Sequence, residues 1–211
     1  MQLLAHRGLW YQPEERNTLK ALSASFDIGI GIETDIRDCD GTLVVSHDPP
    51  RASGALKLEV LLQNYVKYPT RPILALNIKA DGLQAPLMAA LQKHGIDHYF
   101  VFDMSVPDTL GYQRLQMPFA ARISEYEPNN ELAQSAAWIW LDAFHSEWFD
   151  NALIKSWLEQ GKRVAVVSPE LHRRPHLPLW QKLNSFQDHS QVYLCTDFVF
   201  EAKEFFNADK D

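Results

Sequence analysis

Residues 31–48 read GIETDIRDCDGTLVVSHD, and how they fold decides how the rest of the chain is read. Positions 31–36 and 43–46 are two short runs rich in Ile, Leu and Val, separated by Asp40-Gly41, a dipeptide suited to a tight hairpin turn. Taken together they predict one strand and its hairpin extension. Outward from this stretch, strand candidates lie at 3–5, 73–78, 99–102, 119–123, 138–141, 164–167 and 192–195. Helix candidates alternate with them at 18–26, 58–66, 83–94, 107–115, 130–136, 147–160, 177–186 and 201–206. Asn17 reads as the cap of the first helix and Ser146-Glu147 as the opening of the sixth, while Gly95 and Gly161 stand where the third and sixth should end. The segment 49–54, with Pro49-Pro50, reads as a loop.

Counted with the hairpin as one unit, this is eight β units each followed by a helix. The expectation is an α/β chain folded as a compact (β/α)8 TIM barrel over 1–211, near the ~200-residue lower end of that fold's size range. The same alternation permits an open doubly wound sheet, but no GxGxxG or GxxxxGK[ST] follows a predicted strand, so nucleotide-binding versions lose support.

Composition narrows the function classes. Of 211 residues, 46% are hydrophobic and 22% charged, an ordinary globular balance. With 20 basic against 27 acidic side chains the formal charge is −7, which argues against nucleic acid as a partner while leaving room for a local phosphate site. Cys39 and Cys195 form no CxxC or Cys/His spacing, giving little support to a disulfide framework or zinc site. No run approaches the ~18 apolar residues of a membrane span. The N-terminus turns polar too early for a secretory signal, and the expectation is a cytoplasmic protein.

Ionisable residues gather at the C-terminal ends of the first predicted strands: His6-Arg7, then Glu33 and Asp35, then His47-Asp48, then Asn77, Lys79 and Asp81. In a parallel barrel that end carries the active site. Side chains two apart on a strand share a face, so Glu33 and Asp35 project together and Thr34 away. Two carboxylates on one buried face repel unless a cation sits between them, and oxygen ligands suit a hard ion such as Mg²⁺ or Ca²⁺; as plain turn acids they would need none. His6 and His47 each end a short apolar run and are suited to acid/base work near neutral pH. Arg7 and Lys79 can meet phosphoryl oxygens or pair with Glu33 and Asp35. Trp140 and Asp142, at the end of the sixth strand unit, can line a substrate pocket or, for the tryptophan, simply pack in the core. Arg122 either meets a phosphate or pairs with Glu125 or Glu127, and 172–176 reads as a basic loop.

Four motifs in order carry a resemblance. Ala5-His6-Arg7-Gly8, the segment Pro13 to Thr18 ending Asn17-Thr18, Ile32-Glu33-Thr34-Asp35-Ile36-Arg37, and Asp40-Gly41 leading to Ser46-His47-Asp48 resemble the glycerophosphodiester phosphodiesterase family. Its signature is an HRG opening, a PENT segment, an ExD pair and a DG turn leading to HD. Leu76-Asn77-Ile78-Lys79 resembles that family's Glu-Ile-Lys strand, and Cys195-Thr196-Asp197-Phe198 its closing Thr-Asp. The resemblance implies a metal-dependent barrel acting on a small phosphodiester. It makes His6 and His47 the acid/base pair, Glu33 and Asp35 ligands of a divalent ion (Mg²⁺ or Ca²⁺), and Arg7 and Lys79 the phosphate contacts.

Three departures stand out. Asn77 occupies the place of a third carboxylate, so that ligand becomes an amide oxygen or comes from Asp81, Asp103 or Asp142. The segment corresponding to PENT is two residues longer than usual. The connection from Asp48 to Pro72 has room for one helix and no inserted subdomain. A lyase forming a cyclic phosphate, or a phosphate-binding barrel without turnover, are the competing readings.

Overall fold

The computed structural model describes residues 1–50 and 54–207; Arg51, Ala52 and Ser53 of the expected loop 49–54 lie outside the described residues. The elements run β1 (Gln2–His6), α1 (Leu19–Asp27), β2 (Gly31–Cys39), β3 (Thr42–Val45), β4 (Leu56–Lys57), α2 (Leu58–Tyr65), β5 (Leu74–Ile78) and α3 (Gln84–Lys93). They continue with β6 (Tyr99–Phe102), α4 (Val106–Arg114), β7 (Ala120–Ile123), α5 (Glu131–Ser135), β8 (Trp138–Leu141), α6 (Asn151–Glu159), β9 (Arg163–Val167), α7 (Leu177–Leu183), β10 (Val192–Thr196) and α8 (Val199–Asn207). The chain divides into two compact units, one of residues 6–119 and one of residues 1–5 with 120–211.

In the 6–119 unit β2, β5 and β6 are parallel neighbours, with Asp35 in register with Asn77 and Asn77 with Phe102. The Asp40-Gly41 hairpin forms as expected: β3 returns antiparallel on β2, pairing Ile36 with Val45. Asp40 and Gly41 both take positive φ, 50° and 75°, the left-handed pair that a two-residue turn requires. A short further strand, β4, pairs with β3 through Val44–Lys57 and Val45–Leu56; two residues are too few for a sequence pattern to reveal. All five residues of β5 are buried, the mark of a strand covered on both faces. Helix α1 buries Ala21, Leu22, Ser25 and Phe26, the i, i+3, i+4 spacing of one helical face, and Phe26 meets Tyr65 of α2 edge-on at 5.2 Å.

In the other unit β1, β10, β9, β8 and β7 lie side by side, all parallel. Every residue of β8 and β10 is buried. Among the described residues no helix is long and apolar enough to cross a membrane.

Two helix starts differ from expectation. Thr18, not Asn17, caps α1, its hydroxyl accepting from Ala21 N at 3.2 Å. Asp150, not Ser146, caps α6. The N–H groups of Phe144, His145 and Ser146 donate to the Glu125 carboxylate, so residues 144–146 form a loop held from outside. Gly95 and Gly161 end α3 and α6 in left-handed conformation, with φ of 60° and 77°, as helix closure demands.

Candidate active site

The 6–119 unit brings most of the predicted groups together at the C-terminal ends of its strands. Glu33 and Asp35 are 2% and 0% exposed on β2, and Asn77, 8% exposed on β5, donates through Nδ2 to Glu33 Oε1 at 3.1 Å. Arg7 Nε lies 3.0 Å from Asp35 Oδ2. Lys79 Nζ donates to Asp103 Oδ2 at 2.9 Å and lies 3.8 Å from Asp35 Oδ1. His6 Nε2 stands 3.9 Å from Glu33 Oε2. Of the two readings of Arg7 and Lys79, the ion pair is therefore present.

Local backbone explains the placement. After β1 the chain turns sharply: Arg7 has φ 59° and Gly8 φ 88°. A Cβ on Gly8 would sit 2.6 Å from the carbonyl carbon of Ala21 and 2.7 Å from Leu22 N. Only glycine allows the loop to lie directly on the backbone of α1, where Leu9 N donates to Ala21 O at 2.9 Å. Arg7 N donates to Glu33 O at 2.9 Å and Asn17 N to Arg7 O at 3.0 Å, so the loop is laced to β2. Arg7, Asn17 and Asp103 all hold positive φ without being glycine; such backbone costs about 1–3 kcal/mol each and tends to collect at functional sites.

Asn17 is the residue that sequence reasoning misplaced. Its Nδ2 donates to Asp35 Oδ2 at 2.8 Å, and its Oδ1 accepts from Thr34 Oγ1 at 2.8 Å. Thr34 was expected to point away from the two acids, yet it is tied to the same amide, because Asn17 bridges two successive residues of β2. Asn17 adopts a left-handed φ of 59°, a conformation that Asn tolerates better than most residues. In the longer segment before it, Glu15 takes the N–H groups of Tyr11 and Gln12 and the Lys20 ammonium, which makes it a brace of the 3-10 turn Pro13–Glu15.

Burial, and after it the Asp35 charge, pushes the Glu33 carboxyl well above its ordinary range. Three buried oxygens around this point, Glu33 Oε2, Asp35 Oδ1 and Asn77 Oδ1, accept no hydrogen bond, and desolvated oxygens left without a donor are costly. Two carboxylates and an amide oxygen fit a hard divalent cation. Among the described residues no cluster of three or more His, Cys, Asp and Glu is arranged for a metal; beside Glu33 and Asp35 the further oxygen is the Asn77 amide. Of the other candidates for that place, Asp103 is engaged by Lys79 and Asp81 accepts from Ser105 Oγ at 3.2 Å. The carboxylates Glu33, Asp35 and Asp103 against Arg7 and Lys79 leave one net negative charge when all are ionised. A divalent cation would make it one positive charge, the complement of a phosphodiester monoanion.

His47 is exposed, its Nδ1 2.9 Å from Asp48 Oδ1. With Arg7 and Asn17 it lines an open cleft of about 600 Å³ in this unit. In the other unit Trp140 is 5% exposed, in register between Arg122 and Ala165. Asp142 accepts from Ala143 N and lies 2.7 Å from His172 Nε2, and Arg122 pairs with Glu127. Arg174 of the basic loop donates to Ala143 O.

No family model and no curated protein matches the chain. Solved structures do. A chain assigned as a glycerophosphodiester phosphodiesterase from Galdieria sulphuraria superposes with TM-score 0.78 at 17% identity, covering 98% of this chain and 97% of its own. A glycerophosphodiester phosphodiesterase from Agrobacterium tumefaciens gives 0.72 at 17% identity over 100% of both chains. A phosphodiesterase from Oleispira antarctica, solved with its product sn-glycerol 3-phosphate, gives 0.70 at 16% identity over 98% of this chain and 97% of that one. The fold of this chain is the fold of those phosphodiesterases.

Proposed function

We propose that the chain is a metal-dependent phosphodiesterase on a closed (β/α)8 barrel, hydrolysing a small phosphodiester, such as a glycerophosphodiester, to a phosphomonoester and an alcohol. The observation that carries this reading is the cluster of buried, undonated oxygens of Glu33, Asp35 and Asn77, set beside Arg7 and Lys79 and next to His6. It is supported by a shared fold with enzymes of that activity, one of which holds sn-glycerol 3-phosphate.

In this reading Arg7 and Lys79 turn toward the phosphoryl oxygens, where their charge stabilises the transition state more than the ground state. Asp35, held by Arg7 and Asn17, keeps both the guanidinium and the loop in register. When bound by Glu33, Asp35 and Asn77, a Mg²⁺ or Ca²⁺ ion supplies Lewis-acid withdrawal of charge from a phosphoryl oxygen. His6 and His47 divide the proton work. One takes a proton from the attacking water as the new P–O bond forms, and the other gives a proton to the departing alkoxide as the old P–O bond breaks, leaving a phosphomonoester and an alcohol. Asp48 beside His47 Nδ1 fixes a proton on that nitrogen and leaves Nε2 for the exchange.

The test is hydrolysis of bis(p-nitrophenyl) phosphate and of glycerophosphodiesters with Mg²⁺, Mn²⁺, Ca²⁺ or EDTA, followed by phosphorus NMR. Turnover lost in EDTA and restored by one cation, with a monoester as product, is expected. A persistent cyclic phosphate would move the assignment to a lyase. A folded protein that binds sn-glycerol 3-phosphate but turns nothing over would make it a binding barrel.

A further inference from the structure

The cleft that Arg7 and His47 share has an apolar lining that hydrolysis at phosphorus does not use. Two of its walls are tied to Asp35. On one, Asn17 Nδ2 donates to the Asp35 carboxylate at 2.8 Å, and Leu19, two residues further on, lines the cleft half-buried. On the other, Ser46 N donates to Asp35 O at 3.0 Å. Beside Ser46, Val45 stands directly opposite Leu56 across the β3–β4 pair, and both line the cleft. Val45 is 3% exposed and backs the wall, whereas Leu56 is half-buried. β4 is an edge strand, where a polar side chain facing water costs nothing and a leucine left partly in water gains from being covered. The charged groups of the cleft are already engaged. Arg7 pairs with Asp35 and, in the proposed reaction, serves phosphorus. The Arg16 guanidinium lies over the Trp10 indole, 4.0 Å from the ring centroid. Asp48, the single carboxylate among the described lining residues, lies against His47.

We infer that Leu19 and Leu56 are specificity residues that seat an apolar alcohol arm of the diester in this cleft. The inference rests on the phosphodiesterase reading of the neighbouring site. With the phosphoryl group at Arg7, an apolar arm lying along the cleft displaces water from both leucines, and each methylene fully buried in this way is worth about a four-fold gain in binding. An ammonium-bearing arm gains none of this: it must shed water from its charge, and the one carboxylate of the lining is held by His47.

Glycerol phosphate esters of ethanol, butanol and hexanol test it, because their leaving alcohols are nearly equal in acidity and differ in apolar length alone. Glycerophosphoethanolamine is the polar comparison. With the metal-loaded wild type, kcat/KM for the hexyl ester is expected to exceed that for the ethyl ester by about ten-fold or more, the scale of a few partly buried methylenes, with the butyl ester between them. It should also exceed that for glycerophosphoethanolamine. In L56N and in L19N the hexyl-to-ethyl ratio should fall toward one, and L56M should keep it. A purely structural role for either leucine would change all esters alike and leave the ratio untouched. A wild-type ratio near one, a preference for glycerophosphoethanolamine over the hexyl ester, or a wild-type ratio retained in a folded asparagine variant overturns the inference. If no diester is turned over, the hydrolase reading falls by itself. Dissociation constants of ethyl and hexyl phosphate, by calorimetry, then decide the cleft on the same ratio in the same variants, and equal binding or absence of binding overturns it.

Discussion

Asn77 sets the charge of the candidate site by one unit. A carboxylate there would be the third acid crowding Glu33 and Asp35, and Arg7 and Lys79 would no longer nearly balance the cluster. As an amide it donates to Glu33 and still presents an unused oxygen. Asn77→Asp keeps the shape and adds the charge. Calorimetric titration should show divalent-ion affinity rising by about ten-fold or more, since ligand charge tunes such sites strongly. The metal-free protein should melt lower, because a third desolvated carboxylate is added without a partner. An unchanged affinity would remove Asn77 from the ligand set. The histidines are expected to behave differently: His6→Ala and His47→Ala should each lower kcat by about 10²–10⁴-fold, the usual worth of a positioned acid or base. Their metal affinity should stay near wild type. Activity within a few-fold of wild type in either variant would take that residue out of the proton work.

Between β1 and α1 the loop depends on an element contact rather than on any ionisable group. Gly8→Ala must place a methyl into the Ala21 carbonyl at a φ of 88°, and neither backbone can yield cheaply. Chemical denaturation should show a loss of at least about 2 kcal/mol, the range of strained-backbone substitutions. Divalent-ion affinity should fall as well, because Arg7 and Asn17 lose their lacing to β2. A stable Gly8→Ala protein with normal ion binding would contradict this picture of the loop. The loop 144–146 hangs on Glu125 in a comparable way. Burial raises the Glu125 carboxyl, but the N–H groups of His145, Phe144 and Ser146, with its own, outweigh it and hold it at about 2. Because the folded value lies below the unfolded one of about 4.5, the stabilisation is complete above that pH and is lost as pH falls toward about 2. Glu125→Gln should therefore cost stability at pH 6, and the difference from wild type should shrink steadily on acidification through pH 4 to 3. A difference independent of pH would assign Glu125 no role as a charged acceptor.

These elements also show what the sequence makes legible. The β2–β3 hairpin could be read because Asp40-Gly41 is a turn signal in its own right and Ile36 and Val45 face each other by alternation. The strands that carry Asp35 and Asn77 could be read, but their parallel register, which sets those two residues side by side, is a long-range pairing that neither strand's own pattern encodes. Asn17 could not be separated from Thr18 as a cap, since both suit that position and only the hydrogen bond to Ala21 N decides. Ser146 looked like a helix start because the acceptor that uses up the loop's N–H groups, Glu125, comes twenty residues earlier in the chain. Local chemistry was readable; partners distant in sequence were not.

At the scale of the whole molecule the charge runs against the proposed substrate. With 27 acids to 20 bases the chain is net negative by seven, so long-range attraction cannot gather an anionic diester, and affinity must come from charge concentrated locally. A bound divalent ion then has two consequences, one for catalysis and one for stability. An ion that binds the folded chain alone stabilises it by mass action, about 2.7 kcal/mol at one hundred times its dissociation constant. For a chain of this length that corresponds to a rise in melting temperature of roughly 5–10 °C. The rise should appear with the cation that restores hydrolysis, and Asp35→Asn should abolish both together. The same ion should lower KM for the diester, because the site passes from one net negative charge to one positive. If instead no divalent ion shifts the melting temperature and hydrolysis continues in EDTA, the charges of Glu33 and Asp35 serve as counter-ions to His6, Arg7 and Lys79. The phosphoryl group would then be held by those basic side chains alone.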